Sequence, residues 1–354
     1  MIIIHIGMGK CGSSTLQNFL CRNEDSLRAK GVDYPKVGRK PHHKSHHNIA
    51  NEIQDDRRDL FDPKSGALSD LVRHYETQGT RTTVLSSEMF KNAGVSEITR
   101  LIDAFDVAVV RPDFAIVLVI RHLSELVRSA YVKMVKYGKH VYDFDEYFSR
   151  IVQKDVTDYF EIGQRWAGVF GWPSMEVRLL HPRHLLNGDL LDDFMALAAP
   201  DIRIGAPGGP ERTSPRNISP GWKTVEAIRA LYSSAPVLAD NHPLASAVQK
   251  RESQKLIGEA ARKLGDLRGW NKDKGAYMTS EQAEFCLEKY RAAITSFNRH
   301  LSRKLPLPNE FDAAGCRERV RPPAADMIPA SELREFYDDL WRDVSRKLER
   351  RKSQ

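Results

Sequence analysis

The densest chemistry in the chain lies in His5-Ile6-Gly7-Met8-Gly9-Lys10-Cys11-Gly12-Ser13-Ser14-Thr15. An apolar run, Ile2 to Ile6, enters a glycine-rich turn, and a helical pattern leaves it. Strand, turn and helix in that order aim unpaired backbone N–H groups and a helix N-terminus at one point, which suits an anion. Lys10 adds a mobile positive charge, and Ser13, Ser14 and Thr15 add neutral donors. A second group follows the strongest apolar run, Phe114 to Ile120. Arg121 closes that run, and Ser129 stands eight residues on, with Tyr131 just beyond. A guanidinium can fork onto a phosphate, and a serine early in the next helix can donate to the same group.

Several known patterns compete for the first loop. Gly7, Gly9 and Gly12 satisfy G-x-G-x-x-G, which also asks for a second strand ending in an acid about 20 residues on. Asp33 is near that distance, but Gly31-Val32-Asp33-Tyr34-Pro35 does not read as a strand. The Walker A pattern wants lysine directly after its second glycine, and Ser13 stands there instead. A cysteine-phosphatase loop starting at Cys11 would need arginine where the chain has Gln17. The remaining pattern is Lys-Ser/Thr-Gly-Thr-Thr, matched by Lys10-Cys11-Gly12-Ser13-Ser14, with Cys for Ser/Thr and serines for the two threonines.

In this loop, and in Arg121 through Ser129 to Tyr131, the chain resembles the bacterial-type sulfotransferases that use 3′-phosphoadenosine 5′-phosphosulfate. It departs from them at Leu123 and Leu126, where the family often has Pro and Arg. The likeness extends loosely through Tyr159, Trp166 and Val177. It thins beyond about residue 200, where Asn217-Ile218-Ser219 and Ser296-Phe297-Asn298 echo late family segments. The resemblance implies a P-loop-like three-layer α/β fold, this donor with 3′-phosphoadenosine 5′-phosphate as product, and no metal. It implies donor binding by Gly9, Lys10, Cys11, Gly12, Ser13, Ser14, Thr15, Arg121 and Ser129. By the family's habits the acceptor is a hydroxyl or amine, on a carbohydrate or glycolipid.

Transfer needs a group to take the acceptor's proton. Glu88, in Val84-Leu85-Ser86-Ser87-Glu88, stands at a strand end where the family places its base. His47 is the second candidate, in a histidine-rich loop suited to neutral-pH proton work. Its blander reading is a solvent-exposed loop, and that of Glu88 an acid favoured at a helix start. Zinc on His42, His43, His46 and His47 would lack nearby Cys or carboxylate partners. Lys133 and Lys136 are assigned nothing. Two rivals remain: a divergent P-loop phosphotransferase, and a catalytically idle nucleotide- or glycan-binding protein.

The elements that must position these groups alternate. Strands are expected at Ile2–Ile6, Thr82–Ser86, Phe114–Ile120 and Glu176–Leu180. Helices are expected over Ser13–Lys30, from Asn48, through Leu126–Met134, and over Asp143–Phe170, Trp222–Tyr232, Ala247–Leu264, Ser280–Leu305 and Ala330–Arg351. Such alternation means βαβ units and a short parallel sheet, with ligands at the strands' carboxyl ends. The expected organisation is an α/β domain over 1–305, with loops 34–66 and 205–220 at the acceptor site. A linker and helical extension follow over 306–354.

Composition agrees. The 354 residues are 41% hydrophobic and 29% charged, enough for a sizeable core and neither disordered nor membrane-like. Cys11, Cys21, Cys286 and Cys316 form neither a disulfide framework nor a zinc pair. The net charge of +7 favours anionic partners. Its one dense cluster, Arg346 to Lys352, reads as a solvated helix face, so no nucleic-acid partner is expected. No apolar stretch approaches a membrane span. Met1 runs straight into the first strand without a signal-like segment, so a cytoplasmic location is expected.

Overall fold

Strand β1 (Ile2–Ile6) is buried along its whole length, which is why its sequence shows no polar alternation. In the computed structural model it is the middle strand of a five-stranded sheet of order β2-β3-β1-β4-β5. The others are β2 (Val32–Asp33), β3 (Thr82–Ser87), β4 (Phe114–Ile120) and β5 (Met175–Leu179). Every pairing is parallel. The helices are α1 (Ser13–Arg22), α2 (Glu24–Arg28), α3 (His47–Ile53), α4 (Gly66–Gln78), α5 (Val95–Val107), α6 (Leu123–Lys136), α7 (Phe144–Tyr147), α8 (Tyr159–Phe170), α9 (Leu190–Ala198) and α10 (Trp222–Tyr232), followed by helices over Arg251–Leu267, Ser280–His300 and Ala330–Lys352. The structure describes residues 1–55, 64–79, 81–139, 141–212, 219–233, 244, 247, 251–275, 277–308 and 328–352.

The chain divides into two compact units. The first comprises Met1–His122, Asp158–Arg216 and Lys289–Leu307; the second comprises Leu123–Thr157, Asn217–Glu288 and Pro308–Gln354. The whole sheet belongs to the first. Register assigns its two faces. His5 pairs with Ser86 and Val117, while Ile6 pairs with Ser87 and Leu118, so these two sets point to opposite sides. On the His5 side, Gln17 of α1 bonds Ser86 and Phe194 of α9 meets the His5 ring edge-on. On the Ile6 side, α8 packs so closely that a Cβ on Gly163 would stand 3.7 Å from Leu118. Helices therefore cover both faces, forming a three-layer α/β unit.

Four sequence expectations are corrected. The helix expected over Ser13–Lys30 breaks at Asn23. There the side-chain amide donates to the carbonyls of Phe19 and Glu211 and its oxygen accepts from Glu211 N–H; an asparagine whose side chain competes for main-chain partners favours a helix end over a helix interior. The helix expected over Asp143–Phe170 is α7, a π turn over Phe148–Val152, and, after a break, α8, whose N-cap Asp158 accepts from Phe160 and Glu161 N–H. The segment denied as a strand does form one, since Val32 and Asp33 pair with β3. Helices α4 and α9 were not anticipated. Most of the expected linker, Pro306–Pro323, lies outside the described residues, as do Cys316, Asn217 and Ile218.

The second unit is helical. At its centre the Asn271 carbonyl accepts from Gly221 N–H and the Thr224 hydroxyl, and its NH2 donates to Arg262 O and Asp266. Gly258 lets the Arg251–Leu267 helix approach α6 until a Cβ there would overlap Lys136 O. Among the described residues no helix is long and apolar enough to cross a membrane.

Ile4 is fully buried at the middle of β1, between Leu85 and Ile116. Replacing Ile4 by Ala should cost about 2–5 kcal/mol through lost transfer energy and a residual cavity, read as a lowered urea midpoint.

Candidate active site

The β1–β3 ladder runs past the strand end, with Gly7 N–H donating to Ser87 O at 3.0 Å. This brings the loop directly against Glu88. A Cβ on Gly7 would lie 2.9 Å from Glu88 N and 3.1 Å from its Cγ, so only glycine fits. The turn beyond closes with Cys11 N–H donating to Met8 O. Lys10 holds a positive φ of 71°, a strained conformation for a residue with a side chain and one that clusters at functional sites. Gly12, at φ 85°, begins α1; a Cβ there would overlap Leu190. No side chain caps α1; Thr15 N–H donates to Gly12 O, and the earlier N–H groups of the turn face the helix's open N-terminus.

The hydroxyls behave differently from one another. Ser13 is buried and donates to Met8 O at 3.0 Å, so it shapes the turn. Ser14 is exposed at the helix start, while Thr15, Gly9 and Lys10 are half-buried. Cys11 is fully buried, and burial pushes its thiol up to about 12 against the opposing pull of Arg121. It is therefore an inert filler of its position and no nucleophile.

Arg121, at the end of β4, donates to Lys10 O at 3.3 Å. Its own carbonyl accepts from the Tyr159 hydroxyl at 2.8 Å. The first unit thus joins Arg121 to the glycine-rich turn itself. Ser129, its expected partner, lies on α6 in the second unit and is buried.

The two candidate bases come together. Glu88 opens a short 3-10 turn whose cap is Ser87, accepting from Met89 N–H at 3.1 Å. His47 starts α3, with Nδ1 2.7 Å from Ser87 Oγ and Nε2 3.9 Å from Glu88 Oε2. Both side chains are a little over one-quarter exposed, at 28% for Glu88 and 27% for His47. Desolvation lowers the imidazole's affinity for a proton; Glu88 opposes this, and His43 and Lys40 reinforce it. His46 is spoken for. Its N–H donates to Ser86 O, its Nδ1 accepts from Ser86 N–H, and its Nε2 must then donate to Pro35 O at 2.9 Å. With both ring nitrogens engaged it anchors the loop before α3 and has no lone pair for a metal. Among the described residues no group of three or more His, Cys, Asp or Glu is arranged to hold a metal.

Asp33 is equally committed, paired with Arg28 at 2.8 Å and His74 at 2.7 Å. Its strand β2 neighbours β3, not β1, so the dinucleotide reading loses both its acid and its topology. Sequence reasoning also missed Gln17, noticed only for not being arginine. Its amide donates to Ser86 Oγ at 3.1 Å and to Glu88 Oε2 at 3.4 Å. The available signal was a polar residue on the face of α1 that Leu16 and Leu20 bury.

No family model matches the sequence, and no curated protein matches it. A crystal structure of a sulfotransferase from Alicyclobacillus acidocaldarius is similar at 13% identity and a TM-score of 0.40, over 86% of this chain and 96% of that one. At that level, this chain's own residues must carry a functional reading.

Two outcomes follow from the histidines. In Glu88→Gln the charge that favours imidazolium is gone, so the His47 titration midpoint, followed by ring NMR, should fall. Burial also pushes His46 down to about 3 and His5 down to about 4. Below the unfolded value of about 6.5 the unfolded chain binds the extra protons, so stability is full above that pH and drains as pH falls toward 4 and 3. Each ring contributes up to about 1.4 kcal/mol per pH unit. The urea midpoint should be lower at pH 5.5 than at 7.5, and by less in His46→Gln.

Proposed function

We propose that this chain is a sulfotransferase, moving a sulfuryl group from 3′-phosphoadenosine 5′-phosphosulfate to a hydroxyl or amine of an acceptor such as a carbohydrate or glycolipid. One observation supports this most. The carboxyl ends of β1, β3 and β4 bring an uncapped helix N-terminus, Lys10, Arg121 and the Glu88–His47 pair to one edge of the sheet. That is an anion grip with a proton acceptor beside it.

The roles follow from charge. The loop N–H groups and Ser14 hold the phosphosulfate, and Arg121 takes the 3′-phosphate. Ser129 is assigned to that phosphate by its sequence spacing from Arg121. As the acceptor oxygen bonds sulfur, its proton passes to the Glu88 carboxylate. The bond from sulfur to the bridging oxygen breaks, and its electron pair stays on the phosphate, where Lys10 offsets the growing charge. Positioning and charge stabilisation supply the catalysis, as in phosphoryl transfer. Glu88 is the proton acceptor, and His47 adjusts the charge around it.

The product nucleotide, 3′-phosphoadenosine 5′-phosphate, should raise the melting temperature of the chain. Lys10→Ala should abolish that stabilisation and Glu88→Gln should keep it. Both should cut release of the product nucleotide from the donor, over a panel of hydroxyl and amine acceptors, by about 10²–10³-fold. Stabilisation by ATP with magnesium instead would turn the reading to a phosphotransferase. Product binding without turnover in the parent chain would turn it to an idle binding protein.

A further inference from the structure

Gln17 is only 6% exposed. A buried primary amide brings two donors and an acceptor that need partners. Its NH2 lies 3.1 Å from Ser86 Oγ and 3.4 Å from Glu88 Oε2. An ionised carboxylate only accepts, so the NH2 must be the end that faces Glu88. Its other hydrogen goes to Ser86 Oγ. Ser86 Oγ also lies within hydrogen-bond distance of His5 Nδ1, 2.8 Å away. Hydrogen bonds therefore link β1, β3 and α1, and α1 binds the Glu88 carboxylate.

We propose that Gln17 is a positioning residue that ties Glu88 to the anion-binding helix, so that proton acceptor and donor-binding loop keep a fixed separation. The inference rests on the transfer reading above. The geometry makes it specific. Glu88 has glycine against its backbone and Cγ on one side and the Gln17 amide on its carboxylate. His47 reaches the same Oε2 only at 3.9 Å. Gln17 is four residues past Ser13 on α1, so any shift of the helix start moves the tether with it. A carboxylate held this way stays aimed while the acceptor alone adjusts, which is how orientation lowers a barrier.

The test uses the full chain with Gln17→Met, which keeps the buried volume without donors, and Gln17→Glu, which keeps the shape and places a second carboxyl against Glu88. Turnover is read as release of 3′-phosphoadenosine 5′-phosphate from 3′-phosphoadenosine 5′-phosphosulfate over the same panel of hydroxyl and amine acceptors. Either variant should slow turnover about tenfold to a hundredfold while changing affinity for the product nucleotide less than about twofold. In a Glu88→Gln background the same substitutions should add almost nothing, because Gln17 acts through Glu88. Losses that multiply in the double variant, or that appear in nucleotide affinity instead of turnover, would overturn the proposal. A second readout needs no activity. With glutamine labelled by nitrogen-15, one Gln17 side-chain amide proton should move upfield in Glu88→Gln, and an unmoved resonance would refute the tether. If the parent binds the product nucleotide but turns nothing over, the transfer reading falls, and the amide resonance alone decides the tether.

Discussion

The contact between Gly7 and the end of β3 is the constraint on which the site depends. A parallel ladder ordinarily ends where its strands end. Here Gly7 N–H carries it one step further onto Ser87 O, and the missing Cβ lets the turn lie against Glu88. Any side chain at Gly7 would push the glycine-rich loop and the carboxylate apart. Gly12 does the same service on the other flank, where Leu190 of α9 occupies the space a Cβ would need. The loop is held between two elements that arrive from distant parts of the sequence.

Polar groups beneath the loop are buried at a cost that only pairing offsets. His46 meets that cost with three hydrogen bonds to backbone. Ser86 serves His5 and Gln17 at once. The result is a neutral, directional layer under a site whose surface carries the charges: Lys10, Arg121, Glu88 and, when protonated, His47. Charge thus stands at the rim, with neutral hydrogen bonds below it.

Much of the fold was legible. Phe114–Ile120 is apolar throughout and Ile2–Ile6 is so but for His5, as a strand buried on both faces should be. Asp33 shows the opposite case: two residues are too short to carry periodicity, so its strand was decided by pairing with Thr82 and Thr83. The overlong helix through Lys30 failed at Asn23, whose partner Glu211 is 188 positions away. Helix α5, between Glu88 and the strand that ends at Arg121, was readable because Ile98, Leu101, Ala104 and Phe105 follow helical spacing and are buried.

From sequence alone came the order of the motifs, the strand–turn–helix around Lys10, and the placing of Glu88 and Arg121 at strand ends. These are local facts, written in hydrophobic period and glycine spacing. Tertiary structure alone decided that Arg121 reaches Lys10 O, that His47 stands 3.9 Å from Glu88 Oε2, that His46 and Asp33 are committed elsewhere, and that Gln17 touches the carboxylate. The reason is physical: which side chains meet depends on sheet order and register, and a strand's neighbour is chosen by the packing of the whole unit.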